Sequence, residues 1–272
     1  MLLTILIIII IGLFAGAIIN VLADDLPHYR RPTTPRYADG ARRPLIAWLG
    51  ILAFVTGKRA SPEGAALSWR YPVAEVATVA GMLIALLVKN ARTDVSDTQL
   101  IFWLIDIIIM VLVTVVDIEH KLILFSVMIP AYVVAVLDAI ITPAQREPNL
   151  TAALIAGAVG FGVYYILYLG GILYVYVANQ QGRNINTVAF GFGDVMLATF
   201  SGLILGPGAL IFAMFITVFA GAAGAVIYLI SRRLSADGYS PFTALPYGPY
   251  IVLGTFLMLF FGSQMRYLLI GY

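Results

Sequence analysis

The chain of 272 residues contains no cysteine, which excludes a disulfide framework, a Cys-based zinc site and a thiol nucleophile. Two histidines leave little scope for a His-rich metal site. Charge is also scarce, at 11% of residues against roughly 25% in a soluble globular domain. The formal net charge of +2 comes without a basic run interleaved with aromatics, so no nucleic-acid partner is expected. Hydrocarbon fills the space that charge leaves, with 61% of residues hydrophobic. The composition is that of an integral membrane protein whose immediate surroundings are lipid.

A bilayer core of about 30 Å takes about 20 apolar residues as helix. Runs of this kind, bounded by charge, Gly or Pro, fall at 2–23, 71–88, 99–117, 122–141, 151–178, 194–206, 208–230 and 247–270. They predict an all-α polytopic fold of about eight transmembrane helices. The first run has no basic start and no small-residue cleavage site, so it reads as a retained span and not as a signal peptide. The sixth is the shortest. With the amino terminus outside, the inner loops 24–70, 118–121, 179–193 and 231–246 hold twelve Lys and Arg and the outer side holds four, Lys89, Arg92, Arg146 and Arg266. This distribution obeys the positive-inside rule. Residues 24–70 then form a basic cytoplasmic loop. Within it "PLIAWLGILAF" (44–54) is too short to span and reads as an interfacial or packing segment.

Two aspartates fall at one membrane level in this topology. Asp117 closes the third span in "VLVTVVDIEHKLI", and Asp194 opens the sixth in "GFGDVMLATFSGLILG" (191–206). At a helix N-terminus Asp194 is favoured by exposed amides and the helix dipole, and the glycines before it allow a tight backbone approach. Two carboxylates facing each other cannot both ionise cheaply, so one holds a proton while the other stays charged. Such a pair activates water and protonates a leaving amine. Spacing alone leaves a second reading open, in which Asp194 is a helix cap and Asp117 a juxtamembrane charge near Lys121.

The motifs carry a resemblance. "GFGDVMLATFSGLILG" resembles the GxGD motif of type IV prepilin peptidases, with Gly191, Gly193, Asp194, Leu197, Gly202 and Gly206 on the family pattern. "GLFAGAIINVLADDLP" (12–27) is similar to the family's opening segment and retains Asn20; "SWRYPVAEVAT" (68–78) is similar to its RYPxxE segment, with Arg70 and Glu75. "LPYGPYIVLG" (245–254) resembles its terminal PFGPxLxxG. "VVDIEHKLILFSVMIP" (115–130) resembles the stretch holding the first catalytic aspartate, which assigns that role to Asp117. The resemblance implies an intramembrane aspartic endopeptidase with Asp117 and Asp194 as catalytic pair. It implies removal of the basic leader from type IV prepilins or type II secretion pseudopilins, at the cytoplasmic face of the bacterial inner membrane. Residues 1–98 would carry two helices and the loop, and 99–272 a six-helix peptidase domain.

Several positions depart from the pattern. Ile123, Leu124 and Phe125 stand where the family has Ile/Leu-Pro-Asp/Asn, Met196 replaces a lysine, and Glu119 replaces an aspartate. Many relatives carry two Cys pairs in the first loop that are associated with zinc and with N-methylation by S-adenosylmethionine. None occurs here, so the expectation is a peptidase with no metal or cofactor, and S-adenosylmethionine only if a methyltransferase activity is retained.

Other residues carry weaker signals. Asp106 lies eleven residues before Asp117, on the same helix face about 16 Å away along the axis. It is a candidate for a structural hydrogen bond or an intramembrane role. His120 reads as a solvated juxtamembrane residue or a tuner of Asp117, and Arg70 with Glu75 as an internal salt bridge anchoring the loop or as part of a substrate-facing surface. Gly12/Gly16, Gly202/Gly206 and "AGAAGA" (220–225) permit close helix packing. Two rival functions stay open: a proton- or ion-coupled transporter using Asp106, Asp117 and Asp194, and a pilin-binding homologue without catalysis.

Overall fold

The computed structural model describes residues 2–142, 148–183, 190–234 and 246–271. Arg146 and the stretches 184–189 and 235–245, assigned above to loops, lie outside the described residues. The chain forms two compact units, Met1–His120 and Lys121–Tyr272. The described residues are helical apart from turns, loops and two isolated bridges, Arg36 with Arg42 and Ala60 with Ala66. Among the described residues, six helices are long and apolar enough to cross a membrane, and a seventh apolar helix, Phe125–Ile141, is shorter. This is a multi-pass membrane architecture.

The first unit contains α1 (Leu2–Asp25), α2 (Gly50–Val55), α3 (Arg70–Ala91) and α4 (Asp97–His120). α1 packs on α3 through the small residues of its sequence. A Cβ on Gly12 would stand 2.8 Å from the Val79 side chain, and one on Gly16 would stand 2.6 Å from the Glu75 Cα, so only glycine lets the two backbones approach this closely. The segment 44–54 folds as a 3₁₀ turn followed by α2, which packs on α3. Around it the loop builds a small apolar centre of Tyr37, Ala47, Ala53 and Leu67. The loop is therefore a packed element. α4 belongs with α1 and α3, and the compact units divide after His120, whereas the motif-based division falls after residue 98.

The second unit contains α5 (Phe125–Ile141), α6 (Leu150–Gln180), α7 (Phe192–Leu234) and α8 (Gly248–Ile270). A straight helix of 43 residues would be about 65 Å long, twice the bilayer core. α7 is not straight: Gly206 has φ 75° and ψ 171°, and Pro207 follows. Glycine tolerates this left-handed φ, and proline cannot continue the preceding helix but suits the first position of the next. α8 shows what the break does. Tyr247 packs on Phe190 (ring centroids 4.7 Å) and also against Gly221, while Thr255 bonds Ser201 and Gly254 meets Ala213. Along α8 the numbering of the first arm rises and that of the second falls, so the chain reverses at Gly206. The arms 192–205 and 207–234 correspond to the sixth and seventh apolar runs, and the eight runs of the sequence reappear helix for helix.

Small residues also form the seam between α6 and α7. A Cβ on Gly160 would meet the Ala198 carbonyl at 2.5 Å, and one on Gly202 would strike the Ala156 carbonyl. The "AGAAGA" run serves a different contact, seating the rings of Tyr247 and Tyr250 against Gly221 and Gly224. Gly16→Ala is expected to lower stability by about 1–3 kcal/mol through overpacking. Gly162→Ala, where a Cβ meets open space, should leave stability unchanged or raise it by up to about 1 kcal/mol; thermal unfolding of the two variants in detergent measures both.

Candidate active site

Asp194 is the third residue of α7 and is buried. Its carboxylate accepts the Gly191 amide at 2.9 Å, while its own amide donates to the Gly191 carbonyl at 3.1 Å. An acid in the first turn reaching back to the amide that precedes the helix is half of a capping box, and the helix dipole favours its charge. The two glycines of the motif are not equivalent. A Cβ on Gly193 would lie 2.7 Å from the Ile123 Cβ, whereas one on Gly191 would make only ordinary contact at 3.8 Å. Gly193 is thus fixed by the chain entering α5, and Gly191 supplies the amide.

Aromatic rings wall this turn. Phe192 stacks on Phe125 with centroids 5.9 Å apart and meets Tyr168 edge-on at 5.8 Å; Phe190 lies between Tyr164 and Tyr247. Tyr164 and Tyr247 stand close enough for the charge of Asp194 to act on their hydroxyls. Tyr164 is the fifteenth residue of α6, which continues about 24 Å beyond it with Ile166, Leu169, Leu173 and Tyr176 exposed. Asp194 is therefore recessed along α6, with apolar side chains on both sides of its level. The departures from the family pattern join this wall. Phe125 provides the ring under Phe192, Leu124 precedes α5 without a side-chain cap, and Met196 is buried, its carbonyl accepting the Tyr132 hydroxyl at 2.9 Å.

In the first unit, Asp117 is buried in the last turn of α4, and Asp106 is buried three turns earlier on the same helix. The end of α4 is held by charge. Arg70, at the start of α3, donates to Glu119, two residues beyond Asp117, and to Asp24 near the end of α1. Asp24 also accepts the Tyr71 hydroxyl at 3.0 Å and lies 3.6 Å from the Arg43 guanidinium. Both arginines cover the Tyr71 ring, at 4.3 Å for Arg43 and 4.2 Å for Arg70. His120 packs edge-on against His28 at 5.5 Å, so the two histidines of the chain meet.

Arg70 and Glu75 do not form the salt bridge read from the sequence. Five residues apart, they project from different faces of α3; Arg70 turns to Asp24 and Glu119, and Glu75 is fully buried on the side of α2. Glu75 accepts the amides of Gly50 and Ile51, the latter at 2.9 Å, and the Asn20 side chain at 3.4 Å. Asn20 also donates to the Tyr71 carbonyl at 3.1 Å. Glu75 thus satisfies the first amides of α2 and anchors the loop to α1 and α3 by a route other than an ion pair. Asp24, Tyr164 and Tyr247 were not singled out as site residues from the sequence. Tyr247 lies in the terminal motif, and the acid pair in "ADDLP" at the end of an otherwise uncharged helix was the available signal for Asp24.

Glu75→Ala would leave the Gly50 and Ile51 amides without their acceptor. At about 1.5–3 kcal/mol for a hydrogen bond to a charged group, a loss of about 3 kcal/mol is expected, with faster amide exchange over 44–56. Glu75→Gln keeps one acceptor oxygen and should fall between Glu75→Ala and the parent chain in thermal unfolding and hydrogen-exchange mass spectrometry.

Comparison with known proteins bears on what these residues do. Residues 104–226 match the type IV leader peptidase family. A prepilin leader peptidase/N-methyltransferase of Stutzerimonas stutzeri is 25% identical over 252 residues, covering 92% of this chain and 76% of that protein. No solved structure matches. The matched stretch contains both Asp117 and Asp194, each buried at the end of a helix.

Proposed function

We propose that the chain is an intramembrane aspartic endopeptidase that removes the basic leader of type IV prepilins or type II secretion pseudopilins. The observation that carries this reading is that one family segment, 104–226, contains two buried helix-end aspartates, Asp117 and Asp194. In the proposed reaction the ionised carboxylate takes a proton from a water whose oxygen attacks the scissile carbonyl carbon. The protonated carboxylate hydrogen-bonds the carbonyl oxygen. As the C–N bond breaks, a proton passes to the leaving nitrogen, and the pair returns to a single shared proton. The pair titrates as a unit. Asp117 and Asp194 share the roles of acid and base, and the Gly191 amide holds the Asp194 carboxylate in place.

The remaining residues of the motifs act as supports. Gly191 and Gly193 shape the turn that presents Asp194. Arg70, through Glu119, fixes the end of α4 where Asp117 sits, and Asn20 with Glu75 holds the loop. The positive-inside distribution supports placing the loop and both aspartates on the cytoplasmic side of the bacterial inner membrane, where a basic leader would remain. No step requires a cofactor. The loop 24–70 lacks thiolates, so its donor set does not fit a structural zinc, and S-adenosylmethionine would enter only with a separate methyltransferase activity.

Co-expression with a prepilin, read as leader loss on a gel, tests the assignment. Asp117→Asn and Asp194→Asn should each lower cleavage by at least about 10²–10⁴-fold, the range of a positioned acid or base, and Asp106→Asn should retain it. Cleavage that survives Asp194→Asn unchanged, or that is absent in the parent chain on several prepilins including the organism's own, overturns the reading.

A further inference from the structure

The first unit carries a second surface. An apolar groove of about 540 Å³ runs along the loop-side half of α1, between Phe14, Ile18 and Leu22 of that helix and Pro32, Trp48 and Leu49 of the loop. Phe14 and Ile18 are 61% and 58% exposed, and Trp48 is 40% exposed. Val21, Thr33, Thr34 and Pro35 line both this groove and a polar cleft of about 460 Å³, so the two adjoin across these residues. The cleft carries Asp24, Asp25, His28, Arg30 and Arg36. Its carboxylates are engaged: Asp24 binds Arg70 and Tyr71, and Asp25 accepts the Thr33 amide at 2.8 Å and the Thr33 hydroxyl at 3.1 Å. Arg30 and Arg36 are exposed and make no ion pair among the described residues. The charge left available in the cleft is cationic.

We propose that the groove and the adjoining cleft together bind one anionic phospholipid from the leaflet on the loop's side. An acyl chain lies along α1 from Phe14 to Leu22, a length of about 12 Å, and the phosphate sits against Arg30 and Arg36. The unburied face of α1 from Phe14 to Leu22 is apolar, so the groove opens where acyl chains are, and Trp48 occupies the position beside a headgroup that indole rings favour. Juxtamembrane arginines attract anionic lipid, and the groove adds burial of the chain. A basic peptide leader fits less well, because the unengaged charges of the cleft would repel it.

The test uses the full chain reconstituted in vesicles containing a fixed fraction of acyl-brominated phosphatidylglycerol or phosphatidylcholine. Quenching of Trp48 is read as the difference from Trp48→Phe. Brominated phosphatidylglycerol should quench Trp48 more strongly than phosphatidylcholine. Arg30→Gln and Arg36→Gln should each weaken that preference about five-fold, the double variant should abolish it, and Arg59→Gln, a loop cation outside the cleft, should leave it intact. Equal quenching by the two lipids, or equal loss of preference in Arg59→Gln, overturns the proposal. So does protection of Trp48 by a basic leader peptide that persists in the double arginine variant, because the occupant would then be peptide.

Discussion

A carboxylate removed from water needs donors or a partner charge, and the placement of acids in this chain follows from that constraint. Glu75 has no exposure and takes two helix-start amides and an asparagine side chain. Asp24 gathers Arg70 and Tyr71, and Asp25 binds back to Thr33. Asp194 takes the amide preceding its own helix. In each case the acid ties a loop or turn to the end of a spanning helix, so the interactions that make burial tolerable also fix the geometry of the non-helical segments.

Helix ends are where such acids do chemistry most readily, because the amides and carbonyls that a helix cannot satisfy internally lie there. The Gly206–Pro207 reversal gives α7 a short first arm, and this brings the start of α7, with Asp194, alongside the middle of α6. Packing of Gly193 on Ile123 sets the turn, and the aromatic wall of Phe125, Phe192, Tyr164 and Tyr247 encloses it. At Phe125 and Met196 the chain replaces polar residues of the family pattern with apolar ones that pack in this wall and in the α7 core.

The spans were legible in the sequence because bilayer thickness dictates their length, and the break between the sixth and seventh because Gly-Pro is a strong local signal. The turn around Asp194 was legible through its glycines, although sequence could not distinguish Gly193, held by a contact seventy residues away, from Gly191, which is not. The loop was not legible. Its apolar centre of Tyr37, Ala47, Ala53 and Leu67 follows no helical or strand period, and the acceptor for the α2 amides comes from Glu75, more than twenty residues downstream. The Arg70–Glu75 pair failed for a related reason: nearby opposite charges suggested a mutual bond, but a five-residue offset on a helix points them to different neighbours.

The proposed function requires that Asp117 and Asp194 act on one peptide bond. Because the chain has no cysteine, Asp117→Cys with Asp194→Cys creates a single thiol pair in an otherwise inert background. A protease site placed between the two positions converts cross-linking into a gel readout. A short thiol-to-thiol cross-linker should leave the two fragments joined, since carboxylates that share a proton lie within a few ångströms of each other. Complete separation of the fragments after treatment with the cross-linker, in protein that remains folded in the membrane, would contradict the account.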